Sequence, residues 1–214
     1  MPPCLDALGN PPPAEALDEA ARALAAGGVV VVPTDTVYGV AVDPRVAGAT
    51  DRLFALKRRP PDVPLPVLVA DLDQALALAA DDVPEAARRL MERFWPGGLT
   101  VVVRRRPGLG LELGGPDDTT IGLRLPDHPV PTALAVRAGP LATTSANRHG
   151  ETTPPRAADV AQHLGQGVAV VLDAGPCEGH ASTVVACLDE EVRVLRRGKV
   201  PPAEVLAEGR GRSR

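Results

Sequence analysis

Val29-Val30-Val31-Val32-Pro33-Thr34-Asp35-Thr36-Val37-Tyr38-Gly39 decides the reading of this chain. Four β-branched residues in a row predict a short buried strand, and Pro33, which has no N–H to give a ladder, ends it. The strand runs directly into two hydroxyls, a carboxylate and a glycine. On an extended chain Thr34 and Thr36 face the same side. A polar ledge at the C-terminal end of a buried strand is where α/β proteins commonly bind ligands. The same residues also fit an Asx or Ser/Thr turn closing the strand, with Tyr38 in the core.

Moving outward, apolar residues at Ala16, Leu17, Ala20, Ala21 and Leu24 predict a helix over 14–26, ended by Gly27-Gly28. Further helices are expected over 47–58, 72–79, 84–94, 132–137, 156–164 and 202–207. Strands are expected over 65–70, 99–104, 119–125, 141–143 and 168–172, with a terminal hairpin of 182–188 and 191–196 around Asp189-Glu190. Residues 108–118, rich in Gly and Asp, read as an exposed loop. Interleaved elements with a closing hairpin predict an α/β fold with a mixed sheet. A Pro-rich leader (1–13), one domain (14–208) and a basic disordered tail (209–214) complete the division.

The 214 residues carry a net charge of −4 and only 2% aromatics, against a nucleic-acid coat and a base-stacking surface. No apolar run approaches the roughly 20 residues of a membrane-spanning helix, and the start of the chain lacks a secretory pattern. Cys4, Cys177 and Cys187 form no CxxC pair and read as free thiols of a reducing cytosol. The chain has no P-loop, no GxGxxG, no GxSxG and no HExxH, and its four histidines are scattered. A covalent nucleophile or a protein-bound metal is therefore not expected.

Lys57 and Lys199 are the only lysines among 23 basic residues. Lys57, next to Arg58 and Arg59 at the end of a predicted helix, either complements the helix dipole or, with Arg59, clamps a polyphosphate. Phe94-Trp95-Pro96-Gly97 reads as a structural helix-to-strand corner. Arg124 lies in an apolar strand and needs a carboxylate, from the protein or from a ligand, because an unpaired buried charge is expensive. Thr120, four residues earlier, shares its face. Thr143 to Asn147 and Ser182-Thr183 are further polar clusters at strand ends.

In order, P-T-D-T-V-Y-G from Pro33, K-x-R-P from Lys57, F-W-P-G-x-L-T from Phe94, R-x-P-x-H-P from Arg124, T-S-A-N from Thr144, S-T-V-V from Ser182 and L-R-x-G from Leu195 make a set. That set resembles the YrdC/TsaC family of L-threonylcarbamoyladenylate synthases over about residues 15–200. The resemblance implies a YrdC-like twisted mixed sheet with flanking helices and a concave basic cleft. It implies formation of threonylcarbamoyl-AMP and pyrophosphate from L-threonine, bicarbonate and ATP, with Mg²⁺ carried on the ATP phosphates and no metal ligand from the protein. The product serves the threonylcarbamoyl modification of adenosine 37 in tRNA.

Carried over residue by residue, the resemblance places L-threonine on Thr36, Arg124, Thr143 and Ser182, and ATP on Arg59, Thr120, Ser145, Thr153 and Arg196. Lys57 lies beside Arg59 on the phosphate side, and Lys57 and Arg59 are the catalytic candidates. Val63 and Leu68 depart from the polar residue and the histidine found at those places in other members. The partners implied are cytoplasmic threonylcarbamoyl-transfer proteins, with tRNA as a further candidate. Two alternatives stay open: an RNA-binding module of the same fold, and an enzyme making a different carbamoyl-adenylate.

Overall fold

The computed structural model describes residues 1–116, 118–177 and 179–211. Its strands are β1 (Cys4–Asp6), β2 (Val29–Val32), β3 (Gly39–Val42), β4 (Val67–Leu68), β5 (Leu99–Arg104), β6 (Thr120–Arg124), β7 (Leu141–Ser145), β8 (Val168–Asp173), β9 (Thr183–Ala186) and β10 (Arg193–Arg196). The helices are α1 (Ala14–Ala25), α2 (Ala49–Lys57), α3 (Leu72–Leu78), α4 (Glu85–Phe94), α5 (Pro129–Ala138), α6 (Ala157–Leu164) and α7 (Pro202–Gly209).

All ten strands form one mixed sheet in the order β1-β8-β2-β3-β7-β4-β6-β5-β9-β10. The closing hairpin is present as antiparallel β9 and β10, and β9 lies parallel to β5. Two strands were not expected. The Pro-rich leader supplies β1, parallel to β8 at the sheet edge. Gly39–Val42 turns back antiparallel to β2, Val30 opposite Ala41, so the decisive stretch is two strands joined by the loop 33–38. The strand expected over 65–70 is confined to Val67–Leu68. Loop 108–118 buries Leu111 and Leu113, with Asp117 outside the described residues. Of the expected basic tail, Gly209 closes α7 and residues 212–214 lie outside the described residues.

Alternation along the strands divides the core in two. Val29, Val31, Val40 and Val42 point to the face shared with Leu53 and Phe54 of α2, Leu90 of α4 and Val160 of α6. Val30, Val32 and Ala41 point to the other face, under Leu17, Ala20 and Leu24 of α1 and Leu134 of α5. Burying each Leu contributes about 1.5–3 kcal/mol. α1 ends at Gly27, whose φ of +75° suits a residue without a Cβ and whose N–H reaches Leu24 O at 2.8 Å. Among the described residues the cysteines are all free thiols, and no helix is long and apolar enough to cross a membrane.

Candidate active site

The second face of the sheet is only half covered. α1 and α5 lie over its β8–β2–β3–β7–β4 part. Further along, Leu99, Val101, Val103, Ile121, Leu123 and Val185 all point to the opposite core. Their alternates, Thr100, Val102, Thr120, Gly122, Arg124 and Val184, therefore sit on the uncovered face, where they floor a cavity of about 400 Å³. The loop after β2, the segment from Arg59 to Pro66, the end of β7, and Ser182 with Leu195 and Arg196 wall it in.

At one end Arg124 is held on three sides. Its Nε donates to Gly97 O at 2.9 Å, Nη1 to Thr36 Oγ1 at 3.0 Å and Nη2 to Asp35 Oδ1 at 2.5 Å. Both members of the ion pair are buried, at 7% and 6% side-chain exposure. The carboxylate that the buried arginine requires is thus the protein's own Asp35. Asp35 also accepts from the Asp127 N–H at 3.2 Å and from Lys199 Nζ at 3.0 Å. Burial pushes the Asp35 carboxyl up, but Arg124 and Lys199 outweigh it and hold it below its ordinary range.

The hydroxyls nearby have assigned protons. Thr34 Oγ1 donates to Val37 O at 2.6 Å, so in its 2.8 Å contact with Thr36 Oγ1 the proton comes from Thr36. Thr143 Oγ1 donates to Leu141 O at 3.0 Å. Thr36 and Thr143 therefore offer lone pairs to the cavity, the right partners for an amine or a hydroxyl donor. Ser182 Oγ lies 2.9 Å from Thr100 Oγ1 and accepts from Arg196 Nη2 at 3.0 Å.

The other cations line the walls. Arg59 donates to Thr144 Oγ1 at 3.1 Å and to Val63 O at 3.0 Å, and its guanidinium stands 5.7 Å from the Phe54 ring centre. Arg196 is anchored on Ser182 O at 2.8 Å. Burial lowers the affinity of both Arg59 and Arg196 for their protons, though guanidinium stays charged. Val63 and Leu195, 56% and 60% exposed, add apolar walls at the rim.

Of the expected site residues, Thr36, Arg59, Thr120, Arg124, Thr143, Ser145, Ser182 and Arg196 come together around this cavity. Lys57 and Thr153 do not, which corrects the phosphate clamp expected of Lys57 with Arg59. Lys57 is 2% exposed. Its ammonium donates to Ser145 O, to Asn147 O at 2.7 Å and to Asn147 Oδ1 at 3.3 Å. Thr153 donates to the same Asn147 Oδ1 at 3.3 Å. Arg58, left-handed at φ 52° after the end of α2, turns the chain between Lys57 and Arg59. Burial and then Arg59 pull the Lys57 ammonium down to about 8.

Asp35, Lys199, Thr100 and Gly122 also belong to this site, beyond the residues expected from the sequence. Lys199 carried a signal as the second rare lysine, and Thr100 and Gly122 lie on the non-core alternate of their strands. Among the described residues no group of three or more His, Cys, Asp or Glu side chains could hold a metal ion.

The model of the Sua5/YciO/YrdC family, described as "Telomere recombination", matches residues 22–198. A Mycobacterium tuberculosis protein is 42% identical over 191 residues, 87% of either chain. A Bacillus subtilis protein named threonylcarbamoyl-AMP synthase is 37% identical over 198 residues, 88% of this chain and 55% of its own. The crystal structure of P. abyssi Sua5 complexed with L-threonine is similar with a TM-score of 0.85 and 30% identity, across 96% of this chain. This chain spans 60% of that one.

Proposed function

The chain belongs to the Sua5/YciO/YrdC family, and from that premise we propose that it is a threonylcarbamoyl-AMP synthase using L-threonine, bicarbonate and ATP. The observation that carries the reading is the cavity's division. Arg124, fixed by Asp35, stands at one end with two lone-pair-only hydroxyls, and Arg59 and Arg196 stand on the walls of the same space.

Arg124 has N–H groups beyond the three it already uses, and these take the threonine carboxylate. Thr36 and Thr143 accept from the amine and the side-chain hydroxyl, and Ser182 completes that end. Arg59 and Arg196 face the phosphates, with Thr120 and Ser145 along the nucleotide. The amine and bicarbonate give a carbamate with loss of water. A carbamate oxygen then forms a bond to the α-phosphorus, and the bond to the β-phosphate oxygen breaks to release pyrophosphate, a nucleotidyl transfer. Holding the carbamate and the α-phosphorus in line can contribute roughly 7–11 kcal/mol without a protein nucleophile. Magnesium enters as part of the substrate, MgATP, carried on the phosphates. Cytoplasmic threonylcarbamoyl-transfer proteins would consume the product.

The test is pyrophosphate release from ATP and bicarbonate, with and without L-threonine. Release that depends on threonine supports the proposal. Release with serine or another amine but not threonine would overturn it in favour of a different carbamoyl-adenylate. Absence of release, together with salt-dependent tRNA binding, would favour the RNA-binding reading.

A further inference from the structure

The chemistry above leaves Lys199 unused. It lies in the link between β10 and α7, and three contacts fix it. Its N–H donates to Ala181 O at 2.9 Å. Its stem crosses Gly98, where a Cβ would come within 2.7 Å of the lysine Cδ. Its ammonium donates to Asp35 O at 2.7 Å and to Asp35 Oδ2 at 3.0 Å. The link is pressed onto the wall at Gly198, where a Cβ would stand 2.2 Å from Ala181 O. Three residues before Lys199, Arg196 grips Ser182. A continuous path therefore runs from Arg196 and Ser182 through Lys199 to Asp35 and Arg124.

We propose that Lys199 and Asp35 are positioning residues, with Lys199 holding the Asp35 carboxylate back so that Arg124 keeps free N–H groups for the amino-acid carboxylate. Asp35 spends Oδ1 on Arg124 and the Asp127 N–H, and Oδ2 on Lys199. Take Lys199 away and Oδ2 has no described donor. Arg124, already bonded to Oδ1, has N–H groups that make no described bond. A carboxylate that turns to chelate them with both oxygens competes directly with the substrate's. The effect falls on the amino acid, because the cations of the nucleotide end keep anchors that the Lys199 ammonium does not make, Arg59 on Thr144 and Val63 and Arg196 on Ser182.

The inference rests on the synthase reading, and kinetics with both substrates varied separate the two. Lys199 is 43% exposed at its side chain, so Lys199→Met should fold. Its KM for L-threonine is expected to rise about three- to tenfold, with the KM for ATP within about twofold of the wild type. In an Asp35→Asn background, Lys199→Met should have no further effect on the threonine KM, a coupling that a purely structural lysine would not show. Equal rises in both KM values, no change in either, or additive effects in the double variant would overturn the inference while the synthase reading stands. Absence of threonine-dependent pyrophosphate release from the wild-type protein would overturn the synthase reading and this inference with it.

Discussion

Arg124 is charged, buried and surrounded on three sides, so its removal has two separable consequences. Breaking a buried pair from one side typically costs about 3–5 kcal/mol, but here Asp35 keeps Lys199 and the loss should fall below that range. Arg124→Ala should weaken L-threonine binding at least tenfold more than ATP binding, as titration calorimetry of each ligand would register; equal losses would make Arg124 structural. Lys57 gives a prediction of a different kind. Its proton affinity is lowered on folding, from 10.5 to about 8, so between those values the unfolded chain binds more protons and stability rises with pH. Cys187, pushed up to about 12 by burial and its acidic neighbours, acts in the opposite sense. The comparison is therefore wild type against Lys57→Met. Denaturant unfolding at pH 7.5 and pH 10 should show the wild type gaining on the variant at the higher pH. A gap that closes instead would mean that the three carbonyl acceptors hold the ammonium more firmly than burial disfavours it. The motif order, through the family resemblance, pointed to Arg59, Arg124 and Arg196, and all three line the cavity. The same order left Lys57 misplaced, because two residues of separation gives no sign that Arg58 reverses the chain between them. Asp35 was in view within the decisive stretch, yet its pairing with Arg124 is a contact across 89 positions that no local pattern encodes.

At the scale of elements, the legible strands were those with long β-branched runs, such as β2, β5 and β8, and the legible helices those with an apolar stripe, such as α1. β1 and β3 were not. β1 is three residues between prolines and gains its order from pairing with β8. β3 follows a loop whose turn residues masked the return of the chain. The link between β10 and α7 is short and bears directly on the site through Lys199. Gly198 lets it lie against Ala181 and Ser182 with no side chain between them, and a methyl group would meet backbone there, not a flexible tip. Gly198→Ala should therefore displace the link, cost about 1–3 kcal/mol of stability, and raise the KM values for ATP and L-threonine together, since Arg196 and Lys199 leave with it. Denaturant titration and steady-state kinetics check the two halves, and unchanged kinetics would show that the link is not part of the site.

At the scale of the whole molecule, the sheet divides its labour. One face is buried along its length and carries most of the core. The other is covered by α1 and α5 at one part and is bare at the other, where the cavity lies. Folding and binding therefore use different residues of the same strands, so that a substitution on the bare face can block the site without unfolding the chain. Gly122 in β6 is the position to test. A Cβ there would meet Thr100 Cγ2 at 3.5 Å, and Pro66 Cβ and Val102 Cγ2 at 3.6 Å, all ordinary contacts. A β-branched residue suits the strand better than glycine does, so Gly122→Val should leave the unfolding free energy within about 1 kcal/mol of the wild type or raise it. The same isopropyl group stands in the floor of the cavity, between the Arg124 end and the strand that carries Val102, where bound reactants must lie. kcat/KM should fall at least tenfold for one or both substrates while the thermal unfolding midpoint holds. A variant that turns over at the wild-type rate would show that the reactants meet elsewhere, and a variant that fails to fold would show that the bare face also bears on the core.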